Sequence, residues 1–89
     1  MKRKSLIVNE RDNVAMLLED AQKGDCIETP LGLIELLEDV EFAHKVLLTD
    51  LKKDAPVVKY GEEIGRVKAD TPKGTWIHNH NMGCERGTK

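Results

Sequence analysis

The sequence predicts a mainly β domain with one short α-helix. Three observations lead there: the apolar runs are short, turn residues separate them at close intervals, and an apolar stripe at helical spacing occurs convincingly once. Taken in order, Leu6-Ile7-Val8 reads as a short strand. Asp12 or Asn13 can then cap a helix, since a short side-chain oxygen satisfies the orphan N–H groups of a first turn. Val14, Leu17, Leu18 and Ala21 supply the stripe at i, i+3, i+4 and i+7, and Gly24 stands where a left-handed cap costs least. Strands are expected at Cys26–Glu28, Leu33–Leu37, Pro56–Tyr60, Ile64–Lys68 and Trp76–Asn81. Pro30-Leu31-Gly32, Lys59–Gly61 and Thr71–Gly74 break them apart. Val46–Lys53 reads as a short helix or 3₁₀ turn. The domain is drawn over residues 1–82, with 83–89 as a tail lacking periodicity.

A short internal repeat accompanies these elements. Asp20-x-x-Lys23-Gly24-x-x-Ile27 recurs as Asp70-x-x-Lys73-Gly74-x-x-Ile77 and, with Asp for Gly, as Asp50-x-x-Lys53-Asp54-x-x-Val57. Each copy reads as a turn, a left-handed residue and then a strand, because Gly, and less readily Asp, tolerates positive φ.

Composition narrows the function. A chain of 89 residues makes one domain, and so small a domain leaves few residues to enclose an active-site cavity. A module that borrows surface from a partner fits better than a self-sufficient enzyme. Charged residues are 34% of the chain but nearly cancel, to a net −2, which argues against disorder. Residues 1–44 hold five basic and ten acidic side chains, whereas residues 45–89 hold nine and six. The basic half suits an anionic small molecule or an acidic partner, while the missing stripe of basic and aromatic residues argues against nucleic acid. No apolar run has the length of a membrane span and no secretory segment is evident, so the expected setting is cytoplasmic. Cys26 and Cys84 match no redox or zinc spacing and are expected to be free thiols.

Trp76-Ile77-His78-Asn79-His80-Asn81 is the segment richest in chemistry. On a strand, Trp76, His78 and His80 share one face, with alternate residues about 6.6 Å apart. Two such imidazoles can grip one transition metal or an anion; they can equally be turn histidines. His44-Lys45 follows the acidic run Glu35, Glu38, Asp39, Glu41, and reads either as an acid/base or carboxylate-binding pair or as a solvated Lys beside a backbone-bonded His. Tyr60-Gly61 and Ile64-Gly65 read as tight turns, with close approach of a substrate or a partner backbone as the alternative.

Together, Asp12-Asn13-Val14-Ala15, His44-Lys45-Val46, Val58-Lys59-Tyr60-Gly61, Ile64-Gly65-Arg66 and His78-Asn79-His80-Asn81 resemble the SAF domain of altronate and galactarate dehydratases. The order and spacing match from about Leu6 to Asn81, except that Val40-Glu41-Phe42-Ala43 stands where the family usually has a Pro and often a Gly ahead of His-Lys. The resemblance implies a β-clip fold, working as the small subunit of a two-subunit carbon–oxygen hydro-lyase and inactive without a large catalytic subunit. It implies an anionic substrate, a sugar acid, or a sulfonate if the chain is instead similar to the small subunit of sulfolactate sulfo-lyase. A free-standing binding or assembly module without catalysis is the alternative from another class, and a homo-oligomer is a further expected partner arrangement. The resemblance also implies a divalent metal, typically iron, in the complex. His78 and His80 are the expected catalytic residues and candidate metal ligands, with Lys45, Arg66, His44 and Asn81 expected at the substrate.

Overall fold

Positive backbone φ marks every copy of the repeat in the computed structural model, which describes residues 1–7, 9–30, 32–78 and 80–83. Gly24 (φ 92°), Asp54 (72°) and Gly74 (90°) are all left-handed, as the repeat predicts. Ala43, at φ 72°, occupies a fourth equivalent turn that the Asp-x-x-Lys-Gly pattern does not reveal. In each copy a strand begins two residues after the left-handed one.

The four turns associate in two pairs by the same hydrogen bonds. In the first pair, Ala21 and Val40 exchange backbone bonds of 2.8 and 3.0 Å. The carboxylate of Asp39 accepts from Lys23 N at 2.8 Å, and that of Asp20 accepts from Phe42 N at 2.9 Å. In the second pair Leu51 and Thr71 make the backbone exchange, at 2.8 and 2.7 Å. Asp70 accepts from Lys53 N and Asp50 from Lys73 N, at 2.8 and 2.9 Å. Each left-handed residue also donates its N–H across the pair: Gly24 to Leu36, Ala43 to Leu17, Asp54 to Val67 and Gly74 to Leu47. The repeated Asp thus does the work of a backbone cap, satisfying an N–H that no strand partner reaches.

The strands are β1 (Lys2–Arg3), β2 (Ser5–Leu6), β3 (Val14–Leu17), β4 (Cys26–Thr29), β5 (Gly32–Glu35), β6 (Lys45–Leu47), β7 (Pro56–Lys59), β8 (Glu62–Val67), β9 (Trp76–Ile77) and β10 (Met82–Gly83). They form three sheets, ordered β1-β4-β5, β10-β8-β7 and β2-β3-β6-β9. Three pairings matter most here: β4–β5 and β7–β8 are hairpins, whereas β6 and β9 pair antiparallel across the molecule. Tyr60 (φ 56°) and Gly61 (77°) form the two-residue turn of the second hairpin, where both central residues need positive φ. At Gly65 the close neighbour is the chain's own backbone: a Cβ there would meet the Gly83 carbonyl of β10 and the Met82 side chain. Gly83 pairs with Arg66, so regular pairing runs one residue past the expected boundary of the domain. Residues 84–89, and with them Cys84, lie outside the described residues.

The expected helix from Asp12 to Gly24 is not formed, and no helix occurs among the described residues. Val14–Leu17 is a central strand between β2 and β6. Leu18, on the predicted apolar stripe, is 41% exposed, while Ala15, off it, is 1% exposed. The reason is two-sided burial. Ala15 and Leu17 join one core with Ile27, Ile34, Leu36 and Val46, while Val14 joins another with Leu47, Val57, Val67 and Ile77. A strand buried on both faces has no alternation to betray it. Val46–Lys53 likewise contains no helix; it is the end of β6, a bend and the third turn. The strand expected over Trp76–Asn81 stops at Ile77.

Candidate functional site

Strand β6 and strand β9 build the site. Their register sets Val46 opposite Trp76 and Lys45 opposite Ile77. Trp76 therefore lies on the face of Val46 and packs on the first core, and Ile77 points into the second. His44, two residues before Val46, comes to the same face as the indole, with ring centroids 5.3 Å apart.

After β9 the chain turns back. Asn81 holds this turn with both ends of its amide: Oδ1 accepts from His78 N at 3.0 Å, and Nδ2 donates to the Trp76 carbonyl at 2.7 Å. His78 stacks on the indole at 5.6 Å with 17° between planes, and His80 returns to it at 4.9 Å, tilted by 52°. His78 is 5.7 Å from His44 and 6.5 Å from His80. Three imidazoles thus surround one indole. Both His78 and His80 are exposed and His44 is half-buried. The expected grouping of Trp76, His78 and His80 does occur, but a turn creates it instead of strand alternation.

Carboxylates border the cluster. The Glu38 side chain accepts from Trp76 N at 3.0 Å, and Glu41 Oε1 lies 3.9 Å from His44 Nε2. A depression of about 260 Å³ opens here, lined by Asp39, Glu41, His44 and Trp76.

Lys45, adjacent in sequence to His44, is delivered to the opposite face by the same alternation. It is half-buried, and burial, with the nearby Lys59 ammonium adding to it, lowers its pKa. Lys59 in turn sits 4.8 Å over the Tyr60 ring. Arg66 is on the β7–β8 hairpin: Nη1 donates to the Asp54 carbonyl at 2.9 Å, and Nε lies 3.2 Å from Glu63. The structure therefore collects His44, His78 and His80, spends Asn81 on the turn, and places Lys45 and Arg66 elsewhere.

Two imidazoles on one tetrahedral metal, at about 2.1 Å each, hold their ring centroids roughly 5 Å apart. His78 and His80 stand wider, and among the described residues no group of three His, Cys, Asp or Glu is placed to hold a metal ion. This arrangement does not by itself fit a metal centre. Trp76 is the participant that sequence reasoning left out of the site. Its signal was available, because it precedes His78 by two residues and is the chain's single Trp.

Fold and site define a small all-β domain that presents histidines on an open surface. Comparison with known proteins supplies the family: the model of the altronate/galactarate dehydratase SAF domain matches residues 3–85, and the chain belongs to that family. It is 38% identical over 74 residues to an altronate dehydratase of Bacillus subtilis, and 39% identical over 74 residues to one of Escherichia coli. Each of those alignments covers 83% of this chain and 15% of the relative. With the (2R)-sulfolactate sulfo-lyase subunit alpha of Paracoccus pantotrophus it shares 40% identity over 48 residues, which is 54% of this chain and 72% of that subunit. No helix among the described residues is long and apolar enough to cross a membrane.

Proposed function

We propose that this chain is the small, SAF-domain subunit of a carbon–oxygen hydro-lyase that dehydrates a sugar acid such as altronate, together with a separate large catalytic subunit. The observation that carries this is the open cluster of His44, His78 and His80 around Trp76. It offers exposed imidazoles beside a surface depression that is open to solvent, which suits a site completed by another body. The similarity to altronate dehydratases over only 15% of their length agrees with a larger catalytic part.

The reaction removes a proton α to a carboxylate and expels the β-hydroxyl, so groups that take and give protons are needed on the substrate. His78 and His80, exposed and free to meet a partner's surface, are proposed for that task. His44 lines the depression beside them. Asn81 serves the substrate indirectly, by fixing the turn that carries both imidazoles. Lys45, on the face opposite the cluster, and Arg66, tied to Asp54 and Glu63, are both weaker candidates for the substrate's anionic end. A divalent metal, iron by family resemblance, would stabilise enolate-like charge in the complex. Its ligands are assigned mainly to the catalytic subunit.

Sulfite elimination by a sulfo-lyase is the second reading, supported by the alignment covering 72% of the Paracoccus subunit. Assembly of this chain with the catalytic subunit, followed by parallel assays for 2-keto-3-deoxy acid and for sulfite, separates the two. His78→Gln and His80→Gln should each lower kcat by roughly 10²–10⁴ with association intact. Unchanged turnover in both variants would leave only an assembly role.

A further inference from the structure

We propose that Trp76 is the positioning residue of the imidazole cluster, its single indole fixing the relative orientation of His44, His78 and His80. The proposal builds on the site described above. Three histidines from two chain segments meet one bicyclic ring, at centroid distances of 4.9–5.6 Å. No two of them approach each other as closely as His80 or His44 approaches the indole. The indole is thus the hub and the imidazoles its rim.

The hub itself is anchored at several points. Its N–H on the backbone is held by Glu38, its carbonyl by the Asn81 amide, and its ring by packing on the first core, with Val46 its partner across the strands. The indole Nε1, in contrast, is buried and has no hydrogen-bond partner among the described residues. Buried polar hydrogens normally find an acceptor, and a phenyl ring would carry no such penalty. What a phenyl ring lacks is area: two fused rings can be flanked by three imidazoles at once. The geometry points to the extent of the indole face, not its N–H, as the property in use.

Two readouts on the full 89-residue chain test this without turnover. First, the emission of Trp76, the single Trp of the sequence, should report the imidazoles packed on its indole. Removing any one imidazole by His44→Gln, His78→Gln or His80→Gln should change the intensity of that emission at constant pH. Emission identical in all three variants and the parent chain would overturn the proposal. Second, the histidine ring C–H resonances should be shifted upfield and separated from one another by the indole ring current. In Trp76→Phe, which keeps an aromatic on the core if Trp76→Ala does not fold, they should collapse toward the values of free histidine. Resonances unmoved by Trp76→Phe would overturn it equally. Failure of these readouts concerns Trp76, whereas failure of the turnover assays concerns the lyase role.

Discussion

The two paired turns have the same backbone and opposite uses. In each pair the carboxylates of two Asp residues cap each other's turn, and the left-handed residue donates to the partner's incoming strand. What differs is the strand that leaves. After Gly24 and Asp54 the chain enters β4 and β7, which fold into hairpins and serve the cores. After Ala43 and Gly74 it enters β6 and β9, which pair with each other and carry His44 and Trp76 together. One local device, used four times, thus supplies both the hairpins and the strand pair that gathers the histidine cluster.

Substitutions at equivalent positions sharpen this contrast. Gly74→Ala should be the most damaging. A Cβ there meets the Glu35 backbone carbonyl as well as requiring an L-residue at φ 90°, so a loss of at least ~3 kcal/mol is expected in urea unfolding. Gly24→Ala has the same backbone but open space around the new methyl, and should cost only about 1–2 kcal/mol. Equal losses at the two sites would mean that the turns are not distinguished by their surroundings.

A smaller difference lies just after the first turn. Asp25 follows Gly24, and its carboxylate accepts from Arg3 Nε at 2.8 Å and from Gln22 N at 2.9 Å. The Arg3 bond first, and the Gln22 N–H second, hold its pKa down to about 2. A lowered folded-state value means stability that is present above the unfolded value of about 3.9 and lost as pH falls through about 2. Unfolding midpoints should therefore decline on acidification across that window, and Arg3→Gln should flatten the decline. The gentlest change has the opposite sign. Ala43→Gly should stabilise by about 1 kcal/mol, by relieving a left-handed Ala. Asp54→Gly should gain less, since Asp tolerates that conformation better.

The departure noted ahead of His44-Lys45 acquires a physical meaning here. Where the resemblance leads one to expect Gly, this chain puts Ala43 into the left-handed conformation, and the turn forms regardless. The turn was hidden because Phe42 and Ala43 stand where the other copies have Lys followed by Gly or Asp, leaving only Asp39 and Val46 as traces. In the site, the histidines were legible from residue type and spacing. The parting of Lys45 from His44 was legible in principle too, from strand period alone. Trp76 was legible as a neighbour of His78 and His80 but not as the ring on which His44 also gathers, since that contact needs β6 beside β9.

Sequence by itself determined the local punctuation: which residues turn left-handed at Gly24, Asp54 and Gly74, and where the following strands start. Those choices depend on steric limits of one residue and its near neighbours, so no distant partner is needed to read them. Tertiary structure alone decided the rest. Val14, Leu17, Leu18 and Ala21 satisfy a helical stripe, and only the two cores flanking β3 make Ala15 buried and Leu18 exposed. Likewise, His44 and Trp76 are far apart in the chain, and only the pairing of β6 with β9 puts an imidazole against the indole. Burial and cross-strand register belong to the assembled sheet, which no short window of residues contains.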